Sequence, residues 1–468
     1  MKFIWLGFLI AIILEVHAFG MQAASALPEK LPAEAAPVVS SKPLPVSMVS
    51  SQANPSSTAT GSEKEPSYGE LSSLGQLPDW KKLERYAKQL TRVEFEKAWQ
   101  DIYSETNGLP PPWHVVDEML MVPTQGKEAE PLKLAFRNPN EDARDIQTTW
   151  RRAASLPPLA GRPVLSDLRI SLDPGHLGGS WAQIEERFLS FKDGEKVCEG
   201  DLTLMVAKIL SERLKALGAI VSMVRDQPEP VTELRPKDFE QTARDLLTKS
   251  GFSNAQMTYA GLSGDSKLLT VQWQSEKLFY RVSEIHARGT KVNEELKPDL
   301  VLCLHLNAES WGNSTAPQFS PLNHLHVLVN GCYSRDELLQ QDVRHEMLMR
   351  LFSRIHEEEL PLAVSVGEAL ARHTKLPAYV YTTSKARRVT ESQYVYARNL
   401  LANRLYQCPV VYLEPFVMNH EETYRRLLLG HYLGRTLLDG KLVTSALEDY
   451  VRGVTDGLTD YYRRNRQP

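Results

Sequence analysis

Four short stretches of this 468-residue chain bring reactive side chains to the ends of apolar runs. Asp173-Pro174-Gly175-His176 follows an apolar run at 168–172, and its Pro-Gly pair predicts a sharp turn that aims His176 into a cleft. Asp173 is placed to hold a ring or backbone nitrogen behind that turn. Cys198-Glu199-Gly200-Asp201 precedes a helix expected to begin near Leu202, and Cys303-Leu304-His305-Leu306-Asn307 closes a second apolar run. Val410-Val411-Tyr412-Leu413-Glu414 ends a third run on a carboxylate. Each has an ordinary structural reading when taken alone: a turn histidine, a helix-start carboxylate facing the dipole, a strand-end histidine, and a Glu414 paired with an arginine between Arg387 and Arg404. Together, two neutral imidazoles and one carboxylate form a ligand set that leaves the fourth position of a zinc ion open to water. A carboxylate beside that position can serve as general base, and Glu414 is the candidate. Glu185, Glu186 and Glu195 compete with Glu199 as the carboxylate ligand, and Glu199 is preferred for its position before a helix.

Short apolar runs at 168–172, 219–224, 300–304, 325–329 and 410–413 read as strands, each with turn or polar flanks. Between them, residues 201–217 carry Leu202, Met205, Val206, Ile209, Leu210 and Leu214 in a helical stripe that Gly218 stops. Residues 337–356 and 442–462 are also expected to be helical. The alternation predicts an α/β domain over 165–464, with functional groups at the carboxyl ends of its strands. A polar stretch at 227–282 reads as an insertion with its own helix near 238–249.

Hydrophobic residues at 42% and charged residues at 24% are enough for a sizeable core. A net charge of −4 supplies no basic field, so no nucleic-acid partner is expected. Lys2, the apolar run 3–14 and Ala24-Ser25-Ala26 form a signal-peptide pattern, with cleavage expected after Ala26. The chain is thus read as exported, to the periplasm or cell envelope, and as membrane-held only if that segment stays uncleaved. Residues 27–76 read as a Pro/Ala/Ser-rich disordered linker. Residues 77–155 read as a small helix-plus-strand module, with Trp80, Leu83, Tyr86, Leu90, Phe95 and Trp99 near helical spacing and a strand at 115–121. None of the four cysteines has Cys-x-x-Cys spacing, and their pairing is left unassigned.

Taken in order, these motifs resemble those of the zinc-dependent N-acetylmuramoyl-L-alanine amidases, from about Leu168 to Tyr462. The resemblance lies in Ile170 to His176, in Glu199 to Leu204 leading through Leu217-Gly218-Ala219 to Val224-Arg225-Asp226, and in Asp299 to Ala308, with Arg288 and Asn293 before the last of these. It implies a mixed six-stranded sheet flanked by helices, of a phosphorylase/hydrolase-like kind. It also implies Zn2+ held by His176, Glu199 and His305, Glu414 as the catalytic carboxylate, and peptidoglycan as substrate. Some relatives screen the metal with an inserted helix, so 227–282 is a candidate lid and an activator protein a candidate partner. The chain departs from the family in its long interval from His176 to Glu199 and in Pro415-Phe416, where a glycine commonly follows the catalytic Glu. Two other readings remain: a non-catalytic peptidoglycan-binding or regulatory protein on a degenerate amidase fold, and a zinc exopeptidase.

Overall fold

The structure, a computed structural model, describes residues 68–467 except 126–128, 144–145, 192–195, 311 and 314–315. The expected signal peptide, most of the expected linker and Glu195 lie outside the described residues. No helix among the described residues is long and apolar enough to cross a membrane.

Seven strands form the central sheet: β1 (Arg169–Pro174), β2 (Ile220–Met223), β3 (Leu300–Leu304), β4 (Leu325–Val329), β5 (Arg387–Arg388), β6 (Val395–Ala397) and β7 (Val410–Pro415). Their spatial order is β5-β6-β4-β7-β3-β1-β2. Strands β2, β1, β3 and β7 run parallel, β4 lies antiparallel to β7, and β5 lies antiparallel to β6. The expected α/β class and mixed sheet are therefore present. The strand beyond the six expected is the two-residue edge β5, too short to leave an alternation in sequence.

Strand β3 is buried on both faces, which is why it reads as an unbroken Leu-Val-Leu-Cys-Leu. One face packs on α1 (Glu199–Ala216), α4 (His356–Thr374) and α5 (Ala446–Asn465). In α5, Gly453 and Gly457 lie one turn apart against α4. A Cβ on Gly453 would come 2.7 Å from Leu370 Cδ2, and one on Gly457 2.5 Å from the Val366 Cα, so only glycine admits this helix contact. The other face meets α2 (Glu284–Thr290), the central part of a longer helical run flanked by wider turns at Phe279–Ser283 and Lys291–Leu296.

Three helix boundaries differ from expectation. Helix α1 begins at Glu199, two residues before the expected 201, which puts the carboxylate in its first turn. The expected helix 337–356 is divided, because extended Gln340 separates Arg335–Leu339 from α3 (Gln341–Phe352). The helix expected from 442 starts at Ala446, where the Ser445 side chain caps the backbone N–H of Glu448; Lys441–Val443 belong to a hairpin instead.

Residues 77–155 supply short helical segments at Trp80–Tyr86, Arg92–Ala98, Trp99–Tyr103 and Ala153–Ser155 and a three-stranded antiparallel sheet. The strand expected at 115–121 is a hairpin, which Asp117 turns with a φ of 52°. Trp80, Leu83, Phe95, Trp99 and Leu120 share their core with Val343, Met347, Leu351 and Phe352 of α3. The insertion folds into helices at Pro236–Phe239, Glu240–Lys249, Gly264–Leu268 and Val271–Leu278. Its apolar residues Phe239, Ala243, Leu247 and Val271 cluster with Leu177, the neighbour of His176. All four cysteines are unpaired thiols.

Candidate metal centre and catalytic carboxylate

His176, Glu199 and His305 come together at the carboxyl ends of β1 and β3 and the first turn of α1, with their ligand atoms within 4.8 Å of one another. Glu199 lies between the two rings: its Oε2 is 3.3 Å from His176 Nε2 and its Oε1 is 3.3 Å from His305 Nδ1. The rings stand edge to face at 5.0 Å.

The local sequence explains this convergence. The Asp173-Pro174-Gly175-His176 turn bends so tightly that a Cβ on Gly175 would sit 2.2 Å from His305 Cε1. His176 itself takes a φ of 57°, a left-handed conformation that costs a non-glycine residue about 1–2 kcal/mol. The carbonyls of the turn are all claimed. Arg288 donates to those of Pro174 (2.8 Å) and His176 (3.2 Å), and Thr203 Oγ1 donates to that of Gly175 (2.7 Å). Gly200 lets the turn rest on the start of α1, because a Cβ there would lie 2.1 Å from the Leu177 carbonyl oxygen. Asp201 then accepts from the Gly179 N–H at 3.0 Å.

Asp173 does not hold the His176 ring. It accepts from Arg288 Nη1 (2.9 Å) and from the Tyr406 hydroxyl (2.5 Å), and so fixes the guanidinium that grips the turn. The ring is instead oriented by Glu185, whose Oε2 lies 3.3 Å from His176 Nδ1 and accepts from the Leu177 N–H at 2.8 Å. Glu185 therefore approaches the nitrogen opposite the one facing Glu199, a relation that sequence reasoning missed when it weighed Glu185 only as a competing ligand. Glu186 is exposed and pairs with Lys267, away from the rings.

Several features suit a divalent cation. Glu199 is 1% exposed, and its Oε1 accepts from the Leu306 N–H at 3.1 Å, yet its buried Oε2 has no hydrogen-bond partner. A buried carboxylate oxygen without a donor is costly, and a cation removes that cost. Burial raises the Glu199 pKa, but His176 and His305 outweigh it and hold the carboxyl at about 2. Burial drives His176 well below its ordinary value, so it is a neutral imidazole at pH 7 and can donate a lone pair.

Glu414, at the end of β7, is pushed well above the usual carboxylate range by desolvation and by the charge of Glu199, with Arg187 and Arg398 pulling it down. Tyr412, two residues earlier, stacks on the His305 ring at 4.3 Å and 16°. Asn307 Nδ2 donates to the Glu414 carbonyl at 2.6 Å, and the Asn307 N–H donates to that of Phe416, joining the two loops. Phe416 stands where a glycine was expected, and its φ of 63° is the conformation glycine favours. Burial of its ring, 1% exposed, contributes about 2–3 kcal/mol and offsets that strain. Arg187 was not found from sequence: it is a largely enclosed cation whose charge acts on Glu199, Glu185 and Glu414.

No family model matches this chain. No curated protein matches it. Among solved structures, it is similar to the N-acetylmuramyl-L-alanine amidase Ami1 of Mycobacterium abscessus, with 15% identity, 63% of this chain and 99% of that one covered, and a TM-score of 0.33. The amidase AmiC2 of Nostoc punctiforme is 13% identical over 64% of this chain and 98% of that one, with a TM-score of 0.33. The CwlD amidase of Clostridioides difficile, solved in complex with the GerS lipoprotein, is 11% identical over 63% and 98%, with a TM-score of 0.35. Values this low leave the chemistry to be argued from the residues themselves.

Proposed function

We propose that this chain is a zinc-dependent N-acetylmuramoyl-L-alanine amidase that hydrolyses the amide bond between muramic acid and L-alanine in peptidoglycan. The observation that carries the reading is the meeting of His176, Glu199 and His305 around an unpartnered buried carboxylate oxygen, with Glu414 on the adjoining strand. His176, Glu199 and His305 would hold the ion. A zinc ion in such a site supplies polarisation of the substrate carbonyl and acidification of water.

The remaining work falls to the chain. Glu414 accepts a proton from the attacking water as the new carbon–oxygen bond forms. It returns that proton to the alanine nitrogen as the carbon–nitrogen bond breaks, leaving a carboxylate on the muramoyl side and a free amine on the peptide. Its raised affinity for a proton suits both steps. Glu185 keeps the His176 ring in orientation. Tyr412 covers one face of His305 and limits water there. The inserted helices pack on Leu177 and so are placed to govern access to His176, the arrangement on which an activator protein could act. The expected signal peptide agrees with an extracytoplasmic substrate.

Mass spectrometry of peptidoglycan digested with the zinc-loaded protein tests the reading. Release of intact stem peptides with a free L-alanine amine is expected. Release of single amino acids would point to an exopeptidase, and an unaltered digest of a zinc-containing protein to a binding protein.

A further inference from the structure

The sheet face that carries His305, Tyr412 and Glu414 continues past Glu414 into a second group of polar side chains. Glu414 and His326 are direct partners across the antiparallel β7–β4 pair, so both project from the same face, with Cβ atoms about 5 Å apart. His324 follows on the same side, its ring 6.0 Å from that of His326. Tyr379 lies against both rings at 4.4 and 5.1 Å, and Tyr381 meets His326 edge-on at 5.4 Å. The Arg398 guanidinium carbon, just beyond β6, lies 5.9 Å from the Tyr381 ring centre.

This group is incompletely paired. His324 Nε2 meets Glu309 Oε1 at 2.9 Å, but His324 Nδ1 and His326 Nδ1 are buried without a hydrogen-bond partner, and the side chains of Tyr381 and Arg398 find no partner beyond each other. His324 and His326 are 6% and 4% exposed. Buried polar atoms in folded proteins are nearly always paired, so two unpartnered imidazole nitrogens clustered with a Tyr–Arg pair, on the strand next to Glu414, describe a place for a ligand. Its chemistry is that of a donor site. Arg398 is a permanent cation, Tyr381 carries a hydroxyl proton, and a neutral imidazole offers one N–H. The complement is a carboxylate.

The position selects which part of the substrate that is. Across the sheet, His176 and His305 lie on one side of Glu414 and the donor group on the other. Glu414 returns its proton to the departing nitrogen, so the peptide half of the substrate leaves on its side. An extended peptide advances about 3.4 Å per residue, and strands are about 4.8 Å apart. The second residue of the stem therefore spans the interval from Glu414 to the neighbouring strands.

We infer that His326, Tyr381 and Arg398 form a subsite for the free α-carboxylate of the second stem residue, making this chain selective for stems in which that carboxylate is not amidated. The inference rests on the amidase reading for the identity of the ligand. Two probes differ only there: N-acetylmuramoyl-L-alanyl-D-isoglutamate and its isoglutamine counterpart, titrated calorimetrically into the zinc-loaded full chain. The acid is expected to bind at least about tenfold more tightly than the amide, as loss of one charge-assisted hydrogen bond implies. Arg398→Gln should remove that preference, and Arg398→Lys should restore part of it. Tyr381→Phe should reduce it with little effect on thermal unfolding, which guards against misreading a folding defect in the arginine variant. Equal binding of the two probes, equal weakening of both by Arg398→Gln, or no binding of either would overturn the subsite. Cleavage of both probes without preference sinks the subsite alone, whereas preference in binding without cleavage of the probes or of whole peptidoglycan sinks the amidase reading alone.

Discussion

Strand β3 has a buried acidic cluster at each end, and the two are finished differently. At its start, Asp299 is 1% exposed and saturated: Arg151 and Arg169 reach both carboxylate oxygens at 2.6–3.2 Å, and their backbone N–H groups also donate to it. At its far end, Glu199 keeps an oxygen with no hydrogen-bond partner, and burial together with the charge of Glu199 pushes Glu414 well above the usual carboxylate range. The first cluster spends its charges on holding Arg151 and the start of β1 against β3. The second leaves charge uncompensated, which a protein tolerates where a ligand completes it. Asp299 and Glu199, at the two ends of one strand, are equally buried and differ in how completely their oxygens are satisfied.

Substitutions at each end should divide along that line. The largest effect is expected for His305→Ala, which should abolish both zinc retention, measured by elemental analysis, and hydrolysis. Glu414→Gln should retain the metal and lose about 10²–10⁴-fold in kcat, as removal of a general acid–base does. Substantial turnover by this variant would remove Glu414 from its role. Glu185→Gln should weaken zinc affinity by about 10–100-fold, measured by competition with a chelator, because the carboxylate that orients His176 is lost.

Asp299→Asn should do the reverse, with unchanged metal content and a loss of about 2–4 kcal/mol in urea unfolding. That range is below a fully buried pair because both guanidinium groups are about one-third open to solvent. A smaller effect follows with pH. Burial raises the Asp299 pKa, but the hydrogen bonds from Arg151 and Arg169 outweigh it and lower it overall. Its stabilising contribution is therefore complete above the unfolded value near 4 and lost as pH falls through the lower folded value. In acid titrations of stability, the difference between wild type and Asp299→Asn should shrink below about pH 4.

How much of this was legible in the sequence follows from the same contrast. The sheet centre was readable because β1, β3 and β7 are long enough to show as apolar runs, and the four candidate site residues stood at their ends or at the start of a helix. Strands β5 and β6 were missed, being two and three residues long with arginine and tyrosine among them. Glu185 and Arg187 follow a helix of one turn in the long interval between His176 and Glu199, so no periodicity revealed that Glu185 lies against His176 or that the charge of Arg187 acts on Glu414. Asp173 was assigned to the wrong neighbour because its partners, Arg288 and Tyr406, are more than a hundred residues away in the chain. His324 and His326 alternate in the manner of a strand, but that each buries an Nδ1 without a partner is a three-dimensional property.

The contact between Gly200 and the Leu177 carbonyl has a thermodynamic corollary. Because the loop bearing one candidate ligand rests directly on the helix bearing the next, the entropy of bringing the two together is already spent in folding. Cation uptake should then proceed with little backbone ordering, so stripping the ion should yield an intact, reloadable apoprotein instead of an unfolded one.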